Sequence, residues 1–165
     1  MKINALLLKD FYKAVHSEML PKGITKSVSY FTPRKSRVEQ WDHVVNFGLQ
    51  AFCKEWLSDY FHDNFFGLPE DVVVNEYQRV MDNTMGKGIY DIEKVRKLHK
   101  LGYLPVEIFS LPEGALVPMH CPIFGITNTH DQFAWLPQAL ESLISVAIRA
   151  WMLLSRLAPL GVCHS

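Results

Sequence analysis

The sequence predicts an α+β fold, and three observations carry that prediction. Apolar residues keep helical spacing through the first 20 positions and again between 49 and 101. Short alternating runs punctuated by proline crowd the stretch 104–127. A long apolar helical pattern follows from Leu136. Helices mixed with hairpin-like strands argue against a repeated βαβ array. At 165 residues the chain is long enough for one domain with a sizeable core.

Each element has its own signal. Asn4 and Asp10 suit N-caps, so the first 20 residues read as one or two short helices, broken by Pro21-Lys22-Gly23. Ile24, Val28 and Tyr30 alternate with Thr25, Ser27 and Ser29, which predicts a half-buried strand. Thr32 to Arg37 leaves it as an exposed basic loop. Leu49, Phe52, Trp56, Leu57 and Tyr60 mark an amphipathic helix with Gly48 near its start. Pro69 suits the first turn of the next helix, whose inward stripe would be Val73, Tyr77, Val80 and Met81, ended by Gly86-Lys87-Gly88. Asp91 caps a further helix with Ile92, Val95 and Leu98 inward, closed by Gly102. Leu104, Val106 and Ile108 then alternate as a strand, Pro112-Glu113-Gly114 turns, and strands follow at about 115–118 and 122–127. Asn128-Thr129-His130-Asp131 offers caps for the final helix, which Pro159 and Gly161 stop.

Composition excludes several classes of function. The 17 basic and 17 acidic residues cancel, so no electrostatic argument favours nucleic acid or an anionic membrane as partner. Cys53, Cys121 and Cys163 are odd in number and widely spaced, which supports neither a zinc knuckle nor a disulfide framework and suits a reducing cytoplasm. The stretch Leu136 to Leu160 carries Glu141, Arg149 and Arg156 and falls short of the roughly 18 uncharged residues of a membrane span. The apolar run near Met1 lacks a small-residue cleavage site. None of the seven histidines forms HxxxH, and no GxGxxG, Walker loop or GxSxG is present.

Three residues suit a ligand. Tyr12 can stack on a flat heteroaromatic ring, or pack on the core as an ordinary helix tyrosine. His16 lies one turn further on the same face. Arg34, with Lys35 and Arg37 nearby, offers a guanidinium fork for phosphate oxygens, or belongs to a solvated basic loop. Asp10 can accept from a ligand amide, or cap the helix. Read alone, these residues leave both roles open.

In order and spacing, several segments resemble the nicotinamide phosphoribosyltransferase family. They are Asp10 to Arg37, Asn46-Phe47-Gly48-Leu49-Gln50, and Gly102 to Ile108. Pro112-Glu113-Gly114, Val117-Pro118, Asn128-Thr129, Trp135-Leu136 and Glu141-Ser142 continue the series. Thr32-Pro33-Arg34 is similar to the nicotinamide branch more than to the nicotinate branch. The resemblance implies an α/β-hammerhead-like N-terminal domain of a cytoplasmic NAD-salvage enzyme. Its members transfer the phosphoribosyl group of phosphoribosyl pyrophosphate (PRPP) to nicotinamide and release pyrophosphate, with magnesium present. By the family pattern Tyr12 stacks on the pyridine ring, Asp10 sits near its carboxamide and Arg34 binds phosphate. The family's site lies at a homodimer interface, so Tyr12 would act in the partner's site.

The likeness covers nearly all of 1–148, read as the phosphoribosyltransferase N-terminal domain. His130 stands where the family often has aspartate. From Arg149 to Ser165 the chain departs and reads as a divergent helical tail, of truncated or frameshifted origin. The α/β barrel that carries the family's catalytic groups and magnesium ligands is then expected to be missing, with no catalytic residue in 1–165. The expected function is the N-terminal part of such an enzyme, inactive alone. The alternatives are a dimerisation module for a separately encoded barrel, or a remnant without function.

Overall fold

The computed structural model describes residues 3–35 and 42–155. A 3₁₀ turn at Ala5–Leu7 precedes helix α1, Tyr12–Met19, and strand β1, Val28–Phe31. Strand β2, His43–Val45, leads into helix α2, Leu49–Phe52, which continues as two π-helical stretches, Cys53–Tyr60 and His62–Phe66. Helices α3, Glu70–Thr84, and α4, Ile92–Leu101, follow. Then come strands β3, Val106–Ser110, β4, Leu116–Pro118, and β5, Phe124–Asn128, and finally helix α5, Leu136–Ser155. The α+β class holds, with no closed barrel among the described residues. No helix among them is long and apolar enough to cross a membrane.

Two antiparallel sheets hold the strands. The first has the order β1-β5-β3, with Tyr30, Gly125 and Phe109 abreast. The second pairs β2 with β4, Val44 opposite Val117. Helix α5 touches β1, β2, β5, α1 and α2. Its residues Leu136, Ala139, Leu140, Ile144 and Ile148 are buried, the i, i+3, i+4 stripe of a helix lying on a core.

Sequence patterns and structure part in several places. Strand β1 turns its phase around: Val28 and Tyr30 are exposed, whereas Ser29 and Phe31 face inward. Phe31 stacks on Phe124 with centroids 5.1 Å apart, and that contact sets the register. Strand β2 has no sequence signal beyond three residues. Widening to π geometry re-aims the helix after Phe52, so Phe61 and Phe65 become core while Trp56, Leu57 and Tyr60 stay half-buried. In α3, Val74 joins the buried stripe and Val80 does not. The Asp91 cap and the left-handed Gly102 cap of α4 stand as read. Pro159 and Gly161 lie outside the described residues.

Two polar joints fasten this frame. Asn46 Nδ2 donates to Ser110 Oγ, Leu111 O and Pro112 O, while the Glu113 carboxylate accepts from Gly48 N at 2.8 Å and Gln50 N at 3.2 Å. A carboxylate from a distant turn thus satisfies the orphan amides at the start of α2. Asn128 is spent on β1 rather than on capping α5. Its Oδ1 accepts from Ser27 N at 2.8 Å and its Nδ2 donates to Thr25 O and His130 O. His130 caps only the short turn Asp131–Phe133, and α5 starts later.

Asn128 is 1% exposed, so its removal leaves buried donors and acceptors without water. Asn128→Ala is expected to lower unfolding stability by about 3 kcal/mol, read from urea midpoints at constant slope.

Candidate functional site

Helix α1 begins without a side-chain cap, since Phe11 occupies the N-cap position. The expectation that Asp10 caps it is therefore overturned. Ser142 on α5 competes for the Asp10 carboxylate: Ser142 Oγ donates to Asp10 Oδ2 at 2.7 Å, and Asp10 N donates back to the same hydroxyl at 3.3 Å. One turn along, Lys13 Nζ meets Glu141 Oε2 at 2.5 Å, although Lys13 itself is only 8% exposed. A nearly buried ammonium needs such a counter-charge.

Between these ties, Tyr12 points outward with half its surface exposed. The His16 ring meets it edge-on at 5.0 Å, and the Lys13 ammonium lies 5.3 Å from its ring centroid. An exposed, laterally supported phenol ring offers a stacking platform rather than core packing.

Arg34 sits on a different element. The segment leaving β1 is pinned to the β4–β5 turn, where Pro33 O accepts from His120 N and Phe31 O accepts from Ile123 N. Arg34 is exposed and pairs with no other described residue. Asp10 and Tyr12 are brought together on one helix start, and among the described residues neither bonds to Arg34. Arg37, the other end of the basic loop, lies outside the described residues. An open cleft of about 820 Å³ between the π-helical stretch and the α4–β3 connection, lined by Leu57, His62 and Tyr103 among others, contains none of the three.

Lys13 and the Glu141-Ser142 pair belong to the family-like segments, but nothing in the sequence gives them a role; an Asp-x-x-Lys start 128 residues before a Glu-Ser pair has no local signature. Lys9 was missed as well. Its Nζ donates to Tyr77 Oη at 3.0 Å and lies 5.0 Å from that ring's centroid. Burial pulls the Lys9 ammonium from 10.5 down to about 7. Burial, with Tyr90 nearby, pushes the Tyr77 phenol up in turn.

Comparison with known proteins fits this frame. The family model described as "Nicotinamide phosphoribosyltransferase, N-terminal domain" matches residues 4–108. A nicotinamide phosphoribosyltransferase of Acinetobacter baylyi is 38% identical over 152 residues, covering 89% of this chain and 30% of the relative. A nicotinamide phosphoribosyltransferase of Xanthomonas campestris pv. campestris is 29% identical over 149 residues, covering 90% of this chain and 29% of the relative. The chain belongs to the nicotinamide phosphoribosyltransferase N-terminal domain family. It spans about 30% of the length of the curated relatives it matches.

The Lys9 shift has a sign. A lysine whose folded value lies below its unfolded one holds fewer protons when folded, so stability rises with pH between about 7 and 10.5. Below about 7 both states are protonated and the cost of burying the charge is constant. Lys9→Met is expected to be more stable than the parent chain at pH 7 and to flatten that rise. Urea midpoints at pH 7, 8.5 and 10 check both.

Proposed function

We propose that this chain is the N-terminal portion of a nicotinamide-phosphoribosyltransferase protein and contributes one edge of a base-and-phosphate site. The supporting observation is Tyr12, half exposed at the start of α1 while both neighbouring polar residues are tied down to α5. On this reading Tyr12 stacks on the pyridine ring of nicotinamide, Asp10 lies near its carboxamide and Arg34 holds a phosphate of PRPP. Departure of pyrophosphate leaves positive charge at the ribose anomeric carbon, so the transfer depends on positioning and electrostatics. No catalytic group is assigned to residues 1–165. The 1–148 region is taken as an α/β-hammerhead-like domain, in keeping with its late antiparallel strands and the Pro112-Glu113-Gly114 turn, and 149–165 as a divergent tail. Helix α5 runs through that boundary without a break.

Magnesium belongs to this reading only with the phosphates. Among the described residues no group of three or more His, Cys, Asp or Glu side chains is placed to hold a metal ion. The ion would arrive on PRPP oxygens, whose charge it neutralises.

The other side of the site would come from a second copy of the chain or from a barrel outside residues 1–165, in the cytoplasm. A homodimeric arrangement places Tyr12 in the partner's site. A second reading, a binding module without catalysis, draws on the exposed apolar side of α1, where Phe11, Tyr12 and Met19 are exposed.

The 165-residue chain alone is expected to form no nicotinamide mononucleotide from PRPP and nicotinamide; clear turnover overturns the proposal. Mixed with the intact Acinetobacter baylyi relative, it is expected to co-elute on size exclusion. Tyr12→Ala should leave its folding unchanged, as judged by thermal melting, because the ring contributes nothing to the core.

A further inference from the structure

The geometry points to Glu141 and Ser142 as positioning residues that fix the orientation of Tyr12. This inference deepens the reading of Tyr12 as a stacking platform and rests on it. Helix α1 spans only eight residues and has no side-chain cap, so it lacks the local means to hold itself rigid. Lys94 of α4 holds its C-terminal end through Ser17 and Glu18, and its N-terminal end, where Tyr12 sits, is held by α5. Asp10 is gripped twice by one hydroxyl, through its carboxylate at 2.7 Å and its amide at 3.3 Å. Lys13, three residues on, is held by Glu141 at 2.5 Å.

The two grips flank Tyr12 along the chain. With residues 10 and 13 both anchored, the backbone at 12 has little freedom, and the ring projects into solvent beside His16. Lys13 also couples the latch to the ring directly. Its ammonium, held by Glu141, lies 5.3 Å from the Tyr12 ring centroid. Glu141 and Ser142 are adjacent on the outer edge of a helix whose inner stripe is core, so the latch inherits the rigidity of α5.

Nuclear magnetic resonance of the full chain tests this without any ligand. Glu141→Gln and Ser142→Ala are each expected to average the Tyr12 side-chain rotamer and weaken the Tyr12–His16 ring contact. Amide exchange across α1 should rise about tenfold, as one lost polar tie implies. Amides of β5 and of the α5 core stripe should keep their protection. Glu141→Asp and Ser142→Thr are expected to restore part of the rotamer order. An unchanged Tyr12 rotamer and ring contact in both disruptive variants overturns the inference. Equal loss of protection in α1, β5 and α5 also overturns it, since the ties would then be general stability contacts. Failure of the site reading shows elsewhere: in a complex with an intact relative, Tyr12→Ala would leave nicotinamide affinity unchanged while the latch variants still free the ring.

Discussion

Everything in this domain is arranged around the buried stripe of α5. Leu136, Ala139, Leu140, Ile144 and Ile148 remove their side chains from water against both sheets and against α2. Fully burying a leucine or isoleucine gives roughly 1.5–3 kcal/mol, so displacing α5 would cost an amount comparable to a domain's whole net stability. Because a helix turns 100° per residue, the same register that buries Leu140 and Ile144 puts Glu141 and Ser142 at its outer edge. There they meet Lys13 and Asp10. Core packing, through buried Ala14 and the two polar contacts to α5, thus bears on the position of Tyr12.

The Asn46–Glu113 joint does similar work at the other end. In sequence, Asn46-Phe47-Gly48-Leu49-Gln50 and Pro112-Glu113-Gly114 look like separate motifs 65 residues apart. In the fold they are one structure: an amide bridging a turn, and a carboxylate answering the open amides of α2. A charged residue in a turn is easily taken for a site residue. Here its lone pairs are already engaged by backbone donors, which makes it scaffold. The family motifs therefore mix scaffold with site, and the hydrogen-bond partners tell the two apart.

How far the sequence could be read follows from what is local. The Asp91 cap, the left-handed Gly102 and the stripe through Val73, Tyr77 and Met81 depend on neighbours within four residues, and they were legible. The phase of β1 was not. Apolar Val28 and Tyr30 lie outside because Phe31 finds Phe124, a contact 93 positions away that no alternation rule contains. The π widening after Phe52 shifts each later side chain around the helix axis, so a 3.6-residue period finds Leu49 and Phe52 in the core, leaves Trp56 and Tyr60 at its margin and misses Phe61 and Phe65. Of the candidate site, Tyr12, Asp10 and Arg34 could be named from motif resemblance. The supporting role of Glu141 and Ser142 could not be read from that resemblance, since it arises only through the docking of α1 on α5.

Tyr12 and Arg34 stand on separate elements, and the way those elements are rooted bears on the base-and-phosphate reading. Tyr12 rides on α1, tied to α5. Arg34 leaves from β1, whose pairing with β5 and whose exit at Pro33 are held by backbone hydrogen bonds. Helix α5 packs directly against β1. On the proposed reading, the α5–β1 contact inside the core is one of the contacts that set how far Tyr12 lies from Arg34. A site built in this way can fix the distance from a pyridine ring to a phosphate even though neither residue touches the other. Catalysis by positioning requires that kind of fixed span. The rigid frame behind Tyr12 and Arg34 supplies the geometry that a second protein surface would close upon.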